Sequence, residues 1–162
     1  SIIGADSAAT IIDLSDSTVE ANIGISADTK TNILIKNIQL KNCFYGVRFR
    51  NTDTSTIDNV TAYMCGIVKT INNIGGGVAM LDGSDSNTLS NSYFSKNFYG
   101  VFLKDSARNL ISNNTGYNND GECFYGETVS YCIISGNTAS YNKFHVFSIN
   151  YSNNNTDGII SG

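Results

Sequence analysis

The stretch Ile35-Lys36-Asn37, followed by Asn42-Cys43-Phe44-Tyr45-Gly46-Val47-Arg48-Phe49-Arg50-Asn51, is spelled again along most of the chain. Its first half returns as Ile57-Asp58-Asn59, Leu89-Ser90-Asn91 and Ile111-Ser112-Asn113, then as Ile134-Ser135-Gly136-Asn137 with one residue inserted. The steps from Ile35 to Ile57 and from Leu89 to Ile111 are equal, and the step between them is longer. Its second half returns as Gly77-Val78-Ala79-Met80-Leu81-Asp82 and Gly100-Val101-Phe102-Leu103-Lys104-Asp105. Two half-words that drift together mark a repeat protein.

A period of about 22 to 23 residues, with Gly, Asn and Ser between short apolar runs, describes a solenoid whose repeats must stack to bury anything. Leucine-rich repeats share the period but need several leucines and a helical or 3₁₀ return. Here the apolar positions are Ile, Val, Phe and single Leu at period two, as in Ile33, Ile35 and Val47, Phe49, which fits strands. The expected fold is all-β: a parallel β-helix of six to seven coils in one domain spanning residues 1–162. Val47, Val78 and Val101 should share its interior, with Arg48 and Arg50 on the outward phase.

Residues 1–29 carry degenerate copies of the repeat, with Gly24 standing one period before Gly46. Gly46 itself should meet either a positive φ or a close approach. About eight extra residues belong near Lys69 to Gly76, an insertion loop on the side of the solenoid. Asp120-Gly121-Glu122-Cys123 reads as a second, shorter insertion before Phe124-Tyr125-Gly126-Glu127, and Lys143-Phe144-His145-Val146 replaces the Phe-Tyr-Gly-Val word in the last full unit. The chain opens and closes in mid-word, so a fragment of a longer protein is expected.

Composition narrows the class. Hydrophobic residues make up 41% of the chain, which argues against disorder, while 15% are charged and proline is absent. A missing proline suits a solenoid in which strand N–H groups find partners in the next coil. A net charge of −4, a pI near 4.7 and scattered Lys and Arg speak against nucleic acid. No apolar run approaches the roughly 18 residues that span a bilayer, so membrane insertion is not expected.

Several columns could carry chemistry. Asn37, Asn59, Asn91 and Asn113 should stack and bond amide to amide along the axis. Cys43 and Cys65, one period apart, should share a column, with Cys123 and Cys132 on opposite sides of the Tyr125 strand. Buried thiols made in a reducing compartment are the preferred reading, with neither a CxxC pair nor a metal site and no cofactor. Phe44, Tyr45, Phe98, Tyr99, Phe124 and Tyr125 form an aromatic column, part core and part available to a sugar or a subunit.

Glycoside hydrolysis needs two carboxyl groups about 5 to 9.5 Å apart. Asp82 and Asp105, in equivalent positions of adjacent coils, offer such a pair about 4.8 Å apart, unless they serve as turn residues as Asn51 would. Asp120, Glu122 and Glu127 cluster one unit further on. The candidate catalytic residues are therefore Asp82, Asp105, Asp120, Glu122 and Glu127, and the candidate substrate-binding residues are Arg48, Arg50, Tyr99, Lys104 and Tyr125. A calcium loop at Asn118-Asn119-Asp120-Gly121-Glu122 lacks the ligand count.

The Asn-turn coils, the Tyr-Gly-Val-x-Phe words and the proline-free strands resemble the pectin-lyase-like right-handed β-helix superfamily over nearly the whole chain. The aromatic words and the opening Ile2-Ile3-Gly4-Ala5-Asp6-Ser7-Ala8-Ala9-Thr10-Ile11-Ile12-Asp13 resemble the shaft of bacteriophage tailspikes. That resemblance implies a homotrimer in the virion tail, outside the cell, that binds and often cleaves capsule or O-antigen, a hydrolase more than a lyase. Secreted or periplasmic bacterial carbohydrate-binding β-helices, and a shaft or adhesin without catalysis, are the alternatives.

Overall fold

The computed structural model describes residues 1–14, 22–66, 75–150 and 159–161. Its strands, in chain order, are β1 (Ile2–Ile3), β2 (Ile11–Asp13), β3 (Ile23–Asp28), β4 (Leu34–Lys41), β5 (Tyr45–Arg50), β6 (Thr56–Tyr63), β7 (Gly76–Leu81), β8 (Thr88–Ser90), β9 (Tyr93–Ser95), β10 (Tyr99–Ala107), β11 (Leu110–Ser112), β12 (Thr115–Tyr117), β13 (Phe124–Ser130), β14 (Ile133–Ser135), β15 (Thr138–Ser140), β16 (Phe147–Asn150) and β17 (Ile159–Ser161). Among the described residues there is no helix, and so none long and apolar enough to cross a membrane.

Every pairing is parallel. Strands β3, β5, β7, β10, β13 and β16 stack in that order as one sheet. In the second sheet β4 and β6 each run unbroken through a bend, and later coils split the same stretch into pairs: β8 and β9, β11 and β12, β14 and β15. Each coil thus has three faces, two limbs of the bent sheet and one strand of the six-stranded sheet. The stack holds about five turns, slightly fewer than the repeat count implied.

The interior follows the alternation. Val47 and Val78 are 0% exposed and Val101 is 1%, and each is the register partner of the next. Ile35, Ile57, Leu89 and Ile111 fill the opposite wall.

The corners are made by a two-residue device. Asn32, Asn37 and Asn42 all have φ near +55°, and so do Thr54, Asn59 and Met64, Ser86, Asn91 and Lys96, Arg108, Asn113 and Asn118, and Tyr131, Gly136 and Tyr141. These left-handed residues recur every five positions within a coil, a conformation that favours Asn and Gly. The residue after each points inward. In the early coils that seat holds Ile38, Val60, Cys43 and Cys65; later it holds Asn87, Asn97, Asn109, Asn114 and Asn119, all at most 2% exposed.

Each buried amide does for its corner what a strand partner would do. The Asn114 Oδ1 accepts the Ser92 N–H at 2.9 Å while its Nδ2 donates to Leu89 O at 3.1 Å. Asn97 accepts from Cys65 N at 2.8 Å and donates to Ala62 O at 3.0 Å; Asn119 accepts from Asn97 N at 3.0 Å and donates to Phe94 O at 3.2 Å. Asn87 and Asn109 repeat the pattern at the third corner. Turn backbone can therefore be buried without orphaned groups.

Three expectations change. The Asn37 column bonds amide to amide only from Asn59 Nδ2 to Asn37 Oδ1, at 2.9 Å; Asn91 donates instead to Asp58, and the common property is the left-handed backbone. No residue is inserted at Ile134-Ser135-Gly136-Asn137, because Gly136 takes the left-handed seat and Asn137 Oδ1 accepts the Asn114 N–H at 2.8 Å. The short insertion at Asp120-Gly121-Glu122-Cys123 narrows to a single residue. Asn119 lies over Asn97, yet Phe124 pairs with Val101, so the chain takes one residue more here than in the coil before, and the next coil keeps the longer spacing with Phe147 over Phe124. Most of the expected loop near 69–76 falls on residues 67–74, which lie outside the described residues, while Gly76 already begins β7.

Gly46 is required by close approach and not by φ: a Cβ there would stand 2.5 Å from Gly77 O. Gly77 and Gly100 repeat this against the next coil, until Cys123 takes the glycine's place. A side chain fits there because Gly116 sits opposite, where any Cβ would fall on the Cys123 Sγ.

Two outcomes test this account. Asn114→Ala leaves a buried N–H and a buried carbonyl unpaired, at about 1–3 kcal/mol each, whereas Asn113→Ala only places alanine in the left-handed region, at about 1–2 kcal/mol. The urea midpoint followed by circular dichroism should fall further for Asn114→Ala; a larger fall for Asn113→Ala would show that the ladders do not hold the coils. Gly116→Ala should unfold at markedly lower urea, and adding Cys123→Ala should restore most of the loss.

Candidate functional site

The outward face of the six-stranded sheet collects most of the residues singled out in the sequence. One row along the axis reads Ser26, Arg48, Ala79, Phe102, Tyr125 and Ser148; the next reads Asp28, Arg50, Leu81, Lys104 and Glu127. Tyr45, Gly76 and Tyr99 form a third row, and the Glu122 carbonyl accepts the Gly100 N–H beside it. Arg48, Arg50, Lys104, Tyr99, Tyr125, Glu122 and Glu127 are thus brought onto one surface. Asp120 is not: its N–H bonds to Asn97 O at a corner, and its side chain is exposed there.

Asp82 directly follows β7 and Asp105 interrupts β10, with φ of +51° and +48°, as Asn51 follows β5 at +45°. Both are turn residues in backbone terms. They are stacked one rung apart, about 4.8 Å for adjacent parallel strands.

The register separates the aromatic words. Phe124 points inward, 3% exposed, and its ring stacks on Phe147 at 4.9 Å. Tyr125 shares the row of Phe102, not of Tyr99. Even so, Tyr99 and Tyr125 stack on each other, centroids 4.8 Å apart and planes within 9°, with Phe102 at 5.5 Å from both. The ring faces meet one another along the axis. What the pair turns outward is ring edge and hydroxyl, so it suits hydrogen bonding to a ligand better than stacking beneath one.

Among the described residues two ion pairs of full charges lie on this face, while Arg48 bonds the Ser26 hydroxyl at 3.1 Å. Arg50 Nε bonds Asp82 Oδ2 at 2.8 Å and Lys104 Nζ bonds Glu127 Oε1 at 3.0 Å, all well exposed. Asp82 raises the Arg50 guanidinium and Glu127 raises the Lys104 ammonium. Glu122 is half-buried, with the protonated form of His145 as a partner at 3.9 Å. Burial first, then the negative charges of Glu122, Tyr125 and Glu127, push the Tyr99 phenol up to about 12.

Two other clusters were not singled out in the sequence. Asp58 takes Lys36 at 2.8 Å, the Ser90 hydroxyl at 2.9 Å and the Asn91 amide at 2.7 Å. Partial burial opposes its ionisation, but these three donors together hold its carboxyl below the usual range. Lys36, Asp58 and Ser90 lie in one row, so their shared place in the Ile-x-Asn word was the available signal. At the second corner Lys96 reaches the Tyr63 hydroxyl at 3.3 Å and covers its ring, and Tyr117 meets Tyr141 edge-on at 5.4 Å. Among the described residues no three His, Cys, Asp or Glu side chains converge as metal ligands.

All four cysteines are buried thiols. Burial pushes Cys123 up to about 12 and raises Cys132, which leaves both unreactive.

A family model described as a right handed beta helix region matches residues 23–162. The chain belongs to the right-handed β-helix family. That assignment agrees with the parallel three-faced coil, and it covers every complete strand from β3 onward. Neither a curated protein nor a solved structure matches the chain.

The raised Tyr99 phenol has a measurable consequence. The folded chain keeps a proton that the unfolded chain releases near pH 10, so the stability tied to Tyr99 is complete below about pH 10 and drains as pH rises through about 12. Urea midpoints measured upward from about pH 9 should fall, and Tyr99→Phe should make that fall shallower. An identical slope in the variant would remove Tyr99 from the account.

Proposed function

We propose that this β-helix recognises a bacterial surface polysaccharide, capsule or O-antigen, along the outer face of its six-stranded sheet. We place it as a tailspike-like segment displayed outside the cell and assembled as a homotrimer. The supporting observation is the strip itself: Arg48, Arg50, Lys104, Glu122 and Glu127 with the hydroxyl edges of Tyr99 and Tyr125, on one surface that continues along the axis. Parallel rungs repeat about every 4.8 Å. A polymer laid along them meets similar donors and acceptors at a regular interval, and alternating charge accepts both neutral and acidic sugars.

Binding without cleavage is the better supported form of this reading. A glycosidase needs one carboxyl group to give a proton and another to attack or to activate water. On this face Asp82 is engaged by Arg50 and Glu127 by Lys104. Asp82 and Asp105 remain the carboxylates whose spacing suits the chemistry. The mutual stacking of Tyr99 and Tyr125 favours a second reading, a shaft whose rings stiffen the sheet.

Purified chain mixed with a panel of host capsules and O-antigens should bind at least one, with polymer length unchanged by gel filtration. Lys104→Ala and Tyr125→Ala should each weaken binding at least about tenfold, the scale of 1.4 kcal/mol. Absence of binding across the panel would leave the shaft. Shortened polymer would make the chain a depolymerase, and Asp82→Asn and Asp105→Asn should then abolish the shortening.

A further inference from the structure

We propose that Cys43 and Cys65 are an oxidation site, forming a disulfide that clips two adjacent coils together. They occupy one seat in successive coils. Lys41 pairs with Tyr63, Asn42 N–H donates to Tyr63 O at 3.2 Å, and Gly66 N–H donates to Cys43 O at 2.8 Å, so the rungs are in register on both sides of the cysteines. One rung is about 4.8 Å between Cα atoms, inside the range of about 4.4 to 6.8 Å over which disulfides form.

Both side chains turn into the same part of the interior. A Cβ on Gly24 would stand 3.2 Å from the Cys43 Sγ, and one on Gly46 would stand 3.5 Å from the Cys65 Sγ, one coil further on. The Cys43 thiol donates to Lys41 O at 3.2 Å, and the Cys65 thiol faces Tyr63 O at 3.6 Å and Leu40 O at 3.9 Å. Each thiol shifts the other, lowering Cys43 and pushing Cys65 well up, so Cys43 is the member that ionises first. Cys123 and Cys132 have no such arrangement; each sits in its own column with its thiol raised by burial.

The chemistry needs a small disulfide such as oxidised glutathione. The Cys43 thiolate attacks one sulfur of that disulfide and expels a glutathione thiolate, giving a mixed disulfide. Cys65 then loses its proton, attacks the Cys43 sulfur and expels the second glutathione. The pair gives up two electrons and two protons, and oxidised glutathione becomes two glutathione molecules. Because Cys43 and Cys65 are 3% and 0% exposed, the exchange belongs to folding or to local opening of the first coils. The closed loop is a single coil of the solenoid, so the bond would pin the β4–β6 rung on which later coils stack. This inference is independent of any ligand on the outer face.

The full chain, refolded with reduced and oxidised glutathione, should be unfolded, alkylated and mapped by mass spectrometry. The expected product has a peptide linking Cys43 to Cys65, lighter by two hydrogens, with Cys123 and Cys132 alkylated. Its urea midpoint should exceed that of the reduced chain, and the difference should vanish in Cys43→Ser and Cys65→Ser. Four alkylated cysteines under strongly oxidising buffer, or a link that involves Cys123 or Cys132 instead, would overturn the proposal. The wild-type map alone decides this even where a serine variant folds poorly.

Discussion

The rest of the structure depends on one bond type: a side chain inside a corner that pairs with the backbone of the coil before it. A chain that turns sharply several times within each coil leaves N–H and carbonyl groups in a place water cannot reach. An asparagine amide carries one acceptor and two donors, which is enough to take the N–H and the carbonyl of the neighbouring turn together. Asn87, Asn97, Asn109, Asn114 and Asn119 all do so. Leaving such a group unpaired costs more than making the bond returns, so the ladders act as a strong constraint on register.

Register is what turns a repeated sequence into a surface. Once corners are superposed, every strand residue has a fixed neighbour one rung away, and outward rows of unlike residues become possible. The row Asp28, Arg50, Leu81, Lys104, Glu127 is an example: it mixes acids, bases and an apolar residue, which lie side by side because the left-handed residues Asn51, Asp82 and Asp105 align. Inside, the same alignment forces compensation between faces. Cys123 in the glycine column is tolerated because the opposite wall has given up its side chain at Gly116. The apolar hollow of about 10 Å³ beside Gly126 shows the reverse case, a place where the column of Phe49, Met80 and Leu103 loses its side chain and Val129 closes in, its Cγ2 3.1 Å from where a Cβ would stand, without filling the space completely.

The fold was legible because its signal is periodic and redundant. Val47, Val78 and Val101 were assigned to the interior from alternation alone, and they lie there. The misreadings have one cause. Phe124-Tyr125-Gly126 looks like Phe98-Tyr99-Gly100, but the pairing of Val101 with Phe124 offsets them by three residues. Likeness of words competes with hydrogen bonds at the corners, and the bonds set the pairing. The two asparagine populations were merged for a similar reason: Asn113 and Asn114 are adjacent and chemically identical, and only backbone φ and burial separate a turn former from a buried amide.

From the sequence alone came the repeat, its length, the strand type and the set of residues facing in or out, because apolar alternation and turn chemistry are local properties of a chain. The tertiary structure decided which words lie over one another, that Tyr99 and Tyr125 spend their ring faces on each other, and that Asp82 and Glu127 are held by Arg50 and Lys104. Those are relations between coils, and the distance between two coils is set by hydrogen bonds that join residues 22 to 35 positions apart.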